Sequence, residues 1–352
     1  MPESRIVVRP EPSGTPSGKL QAAGLAHATG VFEQLASTVP LPAAPRPIVI
    51  ADYGAATGGN SLLPIGAAIA ALRRRTRSDH AVLVAHTDLP DNDFSALFTT
   101  LAEDPDSYAR TDTASFPSAI GRSYFAQIMP SQSVTLGWSS WATMWLVRPV
   151  AGLPPFSEVT DDAARRAYVR QAAQDWHDFV ALRGRELSPG GKLLVLTPAV
   201  DAAGRSGYRP LLDAVAAVLD EHMTEGRLTA DEIARVSIRA LGRTEKELRA
   251  PFAPAGRFES LTIERLEIFD AEDRFWDQYL LDGNAAALGA RWAALISAAI
   301  APALAAAVTG RARDPATADV LRHLQACLAA RLANSPQQVQ IPLALVVLAK
   351  QR

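Results

Sequence analysis

Two aspartates stand at the ends of apolar runs, and each is placed to do chemistry. Asp52 follows Ile48-Val49-Ile50-Ala51 and opens the turn Asp52-Tyr53-Gly54-Ala55-Ala56-Thr57-Gly58-Gly59-Asn60. Asp88 follows Ala81-Val82-Leu83-Val84-Ala85 within the stretch His86-Thr87-Asp88-Leu89-Pro90-Asp91-Asn92-Asp93-Phe94. A carboxylate at the head of a glycine-rich turn repels a phosphate and attracts an ammonium. An acidic residue at the tip of a second strand is placed to accept hydrogen bonds from a ribose. The turn spells G-x-x-x-G-G, not the dinucleotide fingerprint G-x-G-x-x-G, whose glycines admit a pyrophosphate to a helix N-terminus. S-adenosylmethionine carries an ammonium, a sulfonium and no phosphate, and suits this turn better than NAD.

The elements that hold these residues can be read around them. Ile48 to Ala51 and Ala81 to Ala85 are short apolar runs of the kind buried in parallel sheets, and Ser61 to Leu72 reads as a helix. Strand, turn and helix in that order make the first unit of a doubly wound α/β sheet, whose ligands lie beyond the carboxyl ends of the strands. Ser133 to Trp138 predicts another core strand, and Lys192 to Thr197 a further one after the stop Ser188-Pro189-Gly190-Gly191. Ser260 to Phe269 and Ile341 to Ala349 read as the last two. Helices are predicted over Lys19 to Ser37, Asp161 to Leu187, within Ala202 to Phe258, and from Ala271 through Ala330. Asp91 and Asn92 are expected to cap the helix that begins near Phe94. Trp138, Trp141 and Trp145 crowd a strand tip, and packing is the first expectation for aromatics of this size.

Length and charge remove whole classes of function. The 352 residues suffice for one elaborated domain or two. A formal charge of −2 without a basic stripe argues against nucleic acid. Arg73-Arg74-Arg75 with Arg77 reads as the solvated end of a helix, where cations suit the dipole. The lone cysteine, Cys327, excludes an intramolecular disulfide and points to a reducing, cytoplasmic setting. The six histidines are scattered without ligand spacing to one another, so no metal is expected. Trp176-His177-Asp178 reads as helix surface. The N-terminus lacks the order of a signal peptide. Trp292 to Val308, alanine-rich and holding Pro302, predicts a buried or interface helix, not a membrane span.

Four motifs in order, with kept spacing, carry a resemblance. Ile50-Ala51-Asp52-Tyr53-Gly54 to Asn60 is similar to I-A-D-L-G-C-S-S-G-P-N of the SABATH carboxyl methyltransferases, the salicylic acid, benzoic acid and theobromine-type enzymes and their bacterial relatives. Thr87 to Phe94 resembles N-D-L-P-G-N-D-F, and Ser123-Tyr124-Phe125 stands where G-S-F-Y is expected. Ser139-Ser140-Trp141-Ala142-Thr143-Met144-Trp145-Leu146 resembles S-S-Y-S-L-H-W-L, and Ser188 to Lys192 resembles L-x-P-G-G-R. The similarity is clear from Ile48 to Leu196.

The resemblance implies a mostly parallel, seven-stranded Rossmann-like methyltransferase sheet with a helical cap over its ligand end. Its divisions would be an arm and helix closing the site over 1–45, a core over 46–200, a cap insertion over 201–257, a core strand over 258–270, a second cap with a possible dimer interface over 271–338, and a last strand over 339–352. Asp52, Gly54 and Asn60 would hold the methionine part of S-adenosylmethionine, Asp88 the ribose, and Leu89, Ser123 and Tyr124 the adenine, with Ser139 nearby. Gln21 and Trp145 would orient the substrate carboxylate with neutral N–H donors. No general base is required, because a carboxylic acid with a pKa of about 4.3 is already ionised at neutral pH. Where the family has tyrosine and histidine in its substrate pocket, this chain has Trp141 and Met144, and methionine adapts to flexible apolar shapes. The expected substrate is therefore a lipophilic acid, foremost a free fatty acid, with benzoate-like acids and a small-molecule N-methyltransferase as alternatives. A nicotinamide oxidoreductase would share the sheet but lacks its fingerprint here.

Overall fold

The run Ile48 to Tyr53 is buried at every position, and its side chains divide between two cores. Ile48 and Ile50 join one apolar cluster, Val49, Ala51 and Tyr53 the other, as the twofold alternation of a strand covered on both faces requires. The computed structural model describes residues 24–148, 162–200, 207–235, 242–309 and 315–351.

Along these residues the chain forms α1 (Leu25–Thr38), β1 (Ile48–Tyr53), α2 (Leu62–Arg73), β2 (Val82–Asp88), α3 (Phe94–Glu103), α4 (Tyr108–Thr111), β3 (Ser115–Gly121), β4 (Val134–Ser140), α5 (Asp162–Glu186), β5 (Leu187–Pro198), α6 (Arg209–Thr224), α7 (Ala230–Arg235), α8 (Glu245–Arg249), β6 (Leu261–Ala271), α9 (Arg274–Asp282), α10 (Ala285–Thr309), α11 (Pro315–Asn334) and β7 (Ile341–Lys350). The seven strands lie in the order β3-β2-β1-β4-β5-β7-β6, and all pairs are parallel except those of β7. Strand β1 has β2 on one side and β4 on the other, so the strand order reverses there, the point beyond whose strand ends doubly wound sheets bind their ligands. The first two helices pack together on one face, α5 covers the other through Trp176, Phe179 and Val180, and α10 and α11 pack chiefly on each other.

Several sequence expectations change. Strands β1, β2 and β4 run two or three residues further than their apolar runs, so Asp52, Asp88 and Ser139 belong to the ladder. The sequence pattern does not predict strand β3. It pairs with β2 alone, and an edge position tolerates its Pro117 and its exposed Phe116. Ser188 to Gly191 does not separate helix from strand but lies inside β5 as a bulge. Pairing jumps from Val134–Leu187 to Leu136–Lys192, and Gly190 supplies a φ of 77°. Helix α3 is capped by Asp93, whose carboxylate accepts from the Ala96 N–H, not by Asp91 or Asn92. Trp176 is buried with its indole N–H donated to the Leu248 carbonyl, while His177 is exposed and Asp178 half-buried. The basic run is only partly solvated: Arg73 grips Asp112 through two bonds and Arg75 ties α2 to the Ala36 and Val39 carbonyls. Helix α10 packs along α11 with Trp292, Ile296 and Leu304 buried. Among the described residues no helix is long and apolar enough to cross a membrane.

Candidate functional site

Parallel register brings the tips of β2, β1 and β4 side by side, with Asp52 opposite His86 on one flank and Trp138 on the other. The glycine-rich turn leaves β1 between them. The Gly54 and Ala55 N–H groups both donate to the Thr87 carbonyl, at 2.9 and 3.0 Å, so the end of β2 grips the turn from its first residue. Gly54 has a φ of 87°, and a Cβ there would lie 2.3 Å from that of Ala142. Only glycine lets the turn pass so close to the segment that follows β4. Ala56, at φ 53°, donates to Asp88 Oδ2 at 2.7 Å, and Asn92 Nδ2 donates to the Ala56 carbonyl at 2.8 Å. Asn92, expected at a helix cap, instead pins the turn.

The Asp52 carboxylate is 1% exposed and accepts a hydrogen bond from His86 Nδ1 at 2.8 Å. Among the described residues no lysine or arginine lies within ion-pair distance of it. A buried carboxylate served by an imidazole but no fixed cation is costly, and a ligand ammonium offsets that cost. The residues present therefore fit an ammonium-bearing nucleoside. His86 is a contact that composition and spacing did not disclose; strand ends placed at Tyr53 and Asp88 would have shown it opposite Asp52.

Asp88 spends one lone pair of each oxygen on backbone N–H groups, Ala56 on Oδ2 and Leu89 on Oδ1, both at 2.7 Å. A carboxylate offers about four acceptor positions, so room remains for a diol. Burial pushes the Asp88 carboxyl above the ordinary aspartate range, against the pull of those two N–H groups, and the charges of Asp52 and Asp91 add to the rise. A carboxyl raised in the folded state costs stability at neutral pH, and that cost fades as the pH falls through its folded pKa. Binding has the opposite sign, because hydroxyl donors hold the ionised form and protons compete with them. Affinity for S-adenosylhomocysteine should thus decline as the pH falls from neutral, and the decline should begin above the ordinary aspartate value of about 3.9. Asp88→Asn should bind weakly throughout and show little of this slope in calorimetry.

The far wall follows β4. Ser139 is fully buried and donates its hydroxyl to the Tyr53 carbonyl at 2.9 Å, fastening β4 to the root of the turn. Trp141 takes a φ of 59°, sparsely populated for a bulky side chain. Its backbone N–H is anchored on the Leu196 carbonyl at 2.8 Å. Trp138 and Trp141 are buried in the main core, Met144 packs against it, and Trp145 is partly buried. The loop holding Trp145 is fastened from behind: Arg243 Nη1 donates to the Thr143 carbonyl at 2.6 Å, and Asp175 accepts the Val147 N–H at 2.9 Å. Tyr124 donates its hydroxyl to the Ala142 carbonyl at 2.8 Å, and Ser123 Oγ accepts the Phe125 N–H at 3.3 Å. Asn60 and Leu89 stand in the turn and just past β2, both partly buried. Gln21 lies outside the described residues. No group of three or more histidine, cysteine or acidic residues among the described residues could hold a metal.

Residues 11–350 match the sequence profile of the SAM-dependent carboxyl methyltransferases. Methyltransferase LUC1 of Fusarium sp is 32% identical over 186 residues, 52% of this chain and 48% of that protein. The salicylate carboxymethyltransferase of Clarkia breweri is 23% identical over 250 residues, 67% of each chain. The matches thus span about half to two thirds of these relatives. A loganic acid methyltransferase solved with SAH shares the fold, with a TM-score of 0.76 at 17% identity over 97% of this chain and 98% of that one.

Proposed function

The chain belongs to the family of SAM-dependent carboxyl methyltransferases, and from that premise we propose that it methylates the carboxylate of a lipophilic small acid, foremost a free fatty acid, to give the methyl ester. The observation that carries the reading is the buried Asp52 carboxylate, without a lysine or arginine partner among the described residues, beside a turn that lies against the segment after β4.

When bound, S-adenosylmethionine supplies a methyl group activated by a sulfonium. The chain's own residues have to bind, orient and exclude water. Asp52 receives the ammonium and Asp88 the ribose hydroxyls, with Gly54 and Asn60 completing the methionine side and Leu89, Ser123 and Tyr124 the adenine side. Trp145 offers its indole N–H to the acid, as does the Gln21 amide in our reading. Both donors are uncharged, so they aim the anion without quenching its nucleophilicity. The helices within 209–235, 274–309 and 315–334 are read as the cap that keeps water from the acid. Met144, partly buried, offers the acid's tail an apolar surface, with the buried Trp141 read as backing it, which favours the lipophilic reading. The salicylate and benzoate names of plant relatives support an aromatic acid as the second reading.

Purified protein should move label from methyl-tritiated S-adenosylmethionine to laurate or octanoate in preference to salicylate. A clear preference for salicylate would sink the lipid reading and leave carboxyl methylation standing. Trp145→Phe removes one N–H to a charged acceptor, worth about 1.5–3 kcal/mol. It should lower kcat/KM for the acid ~10- to 100-fold, mainly through a higher KM, with binding of S-adenosylhomocysteine intact. A loss of that binding would contradict the role given to the indole.

A further inference from the structure

His86 lies in β2, fully buried, with Asp52 on one side and Tyr108 of α4 on the other. Its Nδ1 is 2.8 Å from Asp52 Oδ2 and its Nε2 is 2.8 Å from the Tyr108 hydroxyl. The two rings lie nearly parallel, 23° apart with centroids 6.1 Å from each other. Tyr108 is 1% exposed, and among the described residues its hydroxyl has no other hydrogen-bond partner.

The chemistry of these three groups fixes where the protons sit. An ionised carboxylate only accepts, so the Nδ1 that faces Asp52 carries hydrogen. Nε2 then has two options. In an imidazolium it would donate to the tyrosine oxygen, which leaves the buried tyrosine O–H without an acceptor. In the neutral Nδ1–H tautomer it accepts that O–H, and every donor among the three side chains finds a partner. Burial and the Asp52 charge both raise the Tyr108 pKa, so its hydroxyl keeps the proton it donates. The neutral arrangement has a consequence for Asp52. Its carboxylate is held in place by a dipole while its full negative charge stays available to a ligand, which an imidazolium would have neutralised.

We propose that His86 is a positioning residue of the donor site, a neutral imidazole locked in its Nδ1–H tautomer by Tyr108 that orients the Asp52 carboxylate toward the ammonium of the methyl donor. The inference rests on the assignment of Asp52 to that ammonium. The two can fail separately.

His86→Leu removes the hydrogen bond to Asp52 and keeps much of the apolar volume. It should weaken S-adenosylhomocysteine binding about tenfold or more, the loss expected for a hydrogen bond to a charged group. The apparent KM for the methyl donor should rise to match, with the KM for the acid and kcat at saturating donor within about twofold. His86→Asn sets an amide N–H where Nδ1–H stood and should recover most of the affinity. Tyr108→Phe frees the tautomer and should show a smaller loss. In the unmodified protein, imidazole nitrogen shifts in NMR should report Nδ1–H and unprotonated Nε2 for His86 at neutral pH. Equal losses in the leucine and asparagine variants mean packing alone and overturn the proposal, as does an imidazolium signature at neutral pH. Should the leucine variant fail to fold, the asparagine variant and the NMR signature still decide. If unmodified protein binds S-adenosylhomocysteine and Asp52→Asn weakens it but His86→Leu does not, this inference alone falls. If Asp52→Asn has no effect, the donor-site assignment falls with it.

Discussion

Asp52→Asn should lower the affinity for S-adenosylhomocysteine about a hundredfold, roughly 2.7 kcal/mol, while the protein without ligand melts at the same temperature or higher. The size follows from charge. An aspartate and an ammonium about 4 Å apart at an effective dielectric of about 20 attract by about 4 kcal/mol, and desolvation of the ammonium takes part of this back. Asparagine keeps the shape and still accepts from His86 Nδ1–H, so the local hydrogen bonds survive. The sign of the stability change separates this prediction from misfolding. In the free protein the carboxylate is 1% exposed with no lysine or arginine beside it among the described residues, a cost that the amide does not bear. Affinity lost together with stability retained or gained is the mark of a site strained for its ligand. Calorimetric titration and a thermal melt of the same sample read both quantities. A variant that binds normally removes Asp52 from the ammonium site, whatever its melting temperature.

How much of this was legible beforehand depended on which forces set each residue. Runs such as Ile48 to Ala51 are fixed by burial on both faces, and burial leaves a pattern in composition, so the central strands could be placed. The ends of those strands are set by the neighbouring strand. Asp52, Tyr53 and Asp88 look like turn residues alone, yet they extend the ladder because His86, Thr87 and Gly121 lie alongside to pair with them. Edge strand β3 has little apolar signal, because one of its long sides is free. The bulge at Ser188 to Gly191 reads locally as a stop, and only pairing with β4 turns it into strand. The proposed site residues divided in the same way. Asp52 and Asp88 announce themselves by standing at strand tips, whereas Arg243 acts through carbonyls of Thr143 and Ala172, distant in sequence, and leaves no local trace. Trp145 was reached through the family motif, since three neighbouring tryptophans by themselves argue only for packing.

The largest stability effect is expected from a residue that touches no ligand. Arg183→Met should cost about 3–5 kcal/mol, because it strands Glu186. Both side chains are fully buried. Arg183 donates through Nη2 to Glu186 Oε1 at 2.9 Å, and its Nε lies 2.9 Å from Oε2, near in distance although not aligned as a hydrogen bond. Glu186 also accepts from the Tyr53 hydroxyl at 2.7 Å and from the Ile128 and Met129 N–H groups at 2.5 and 3.1 Å. Arg183 reaches across to the Tyr124 and Ala126 carbonyls at 2.8 and 2.9 Å, and its guanidinium lies 4.4 Å from the centre of the Tyr53 ring. One ion pair thus fastens the end of β1 and the 124–129 segment to the end of α5. Without the guanidinium, Glu186 is a buried charge with neutral donors only, and two backbone carbonyls lose their partner. Glu186→Gln placed on top of Arg183→Met removes the stranded charge, so the double variant should be more stable than Arg183→Met alone. A double variant no more stable than Arg183→Met would mean that the stranded charge is not the source of the loss. Because Tyr124 sits on the adenine side of the proposed donor site, the double variant should regain stability without regaining affinity: its 124–129 segment still lacks the arginine. Urea unfolding of both variants beside the unmodified protein, with S-adenosylhomocysteine titrated into each, tests the coupling and the link to the site. A cost below about 1 kcal/mol for Arg183→Met, the range of exposed ion pairs, would show that the cluster does not hold the fold together at this point.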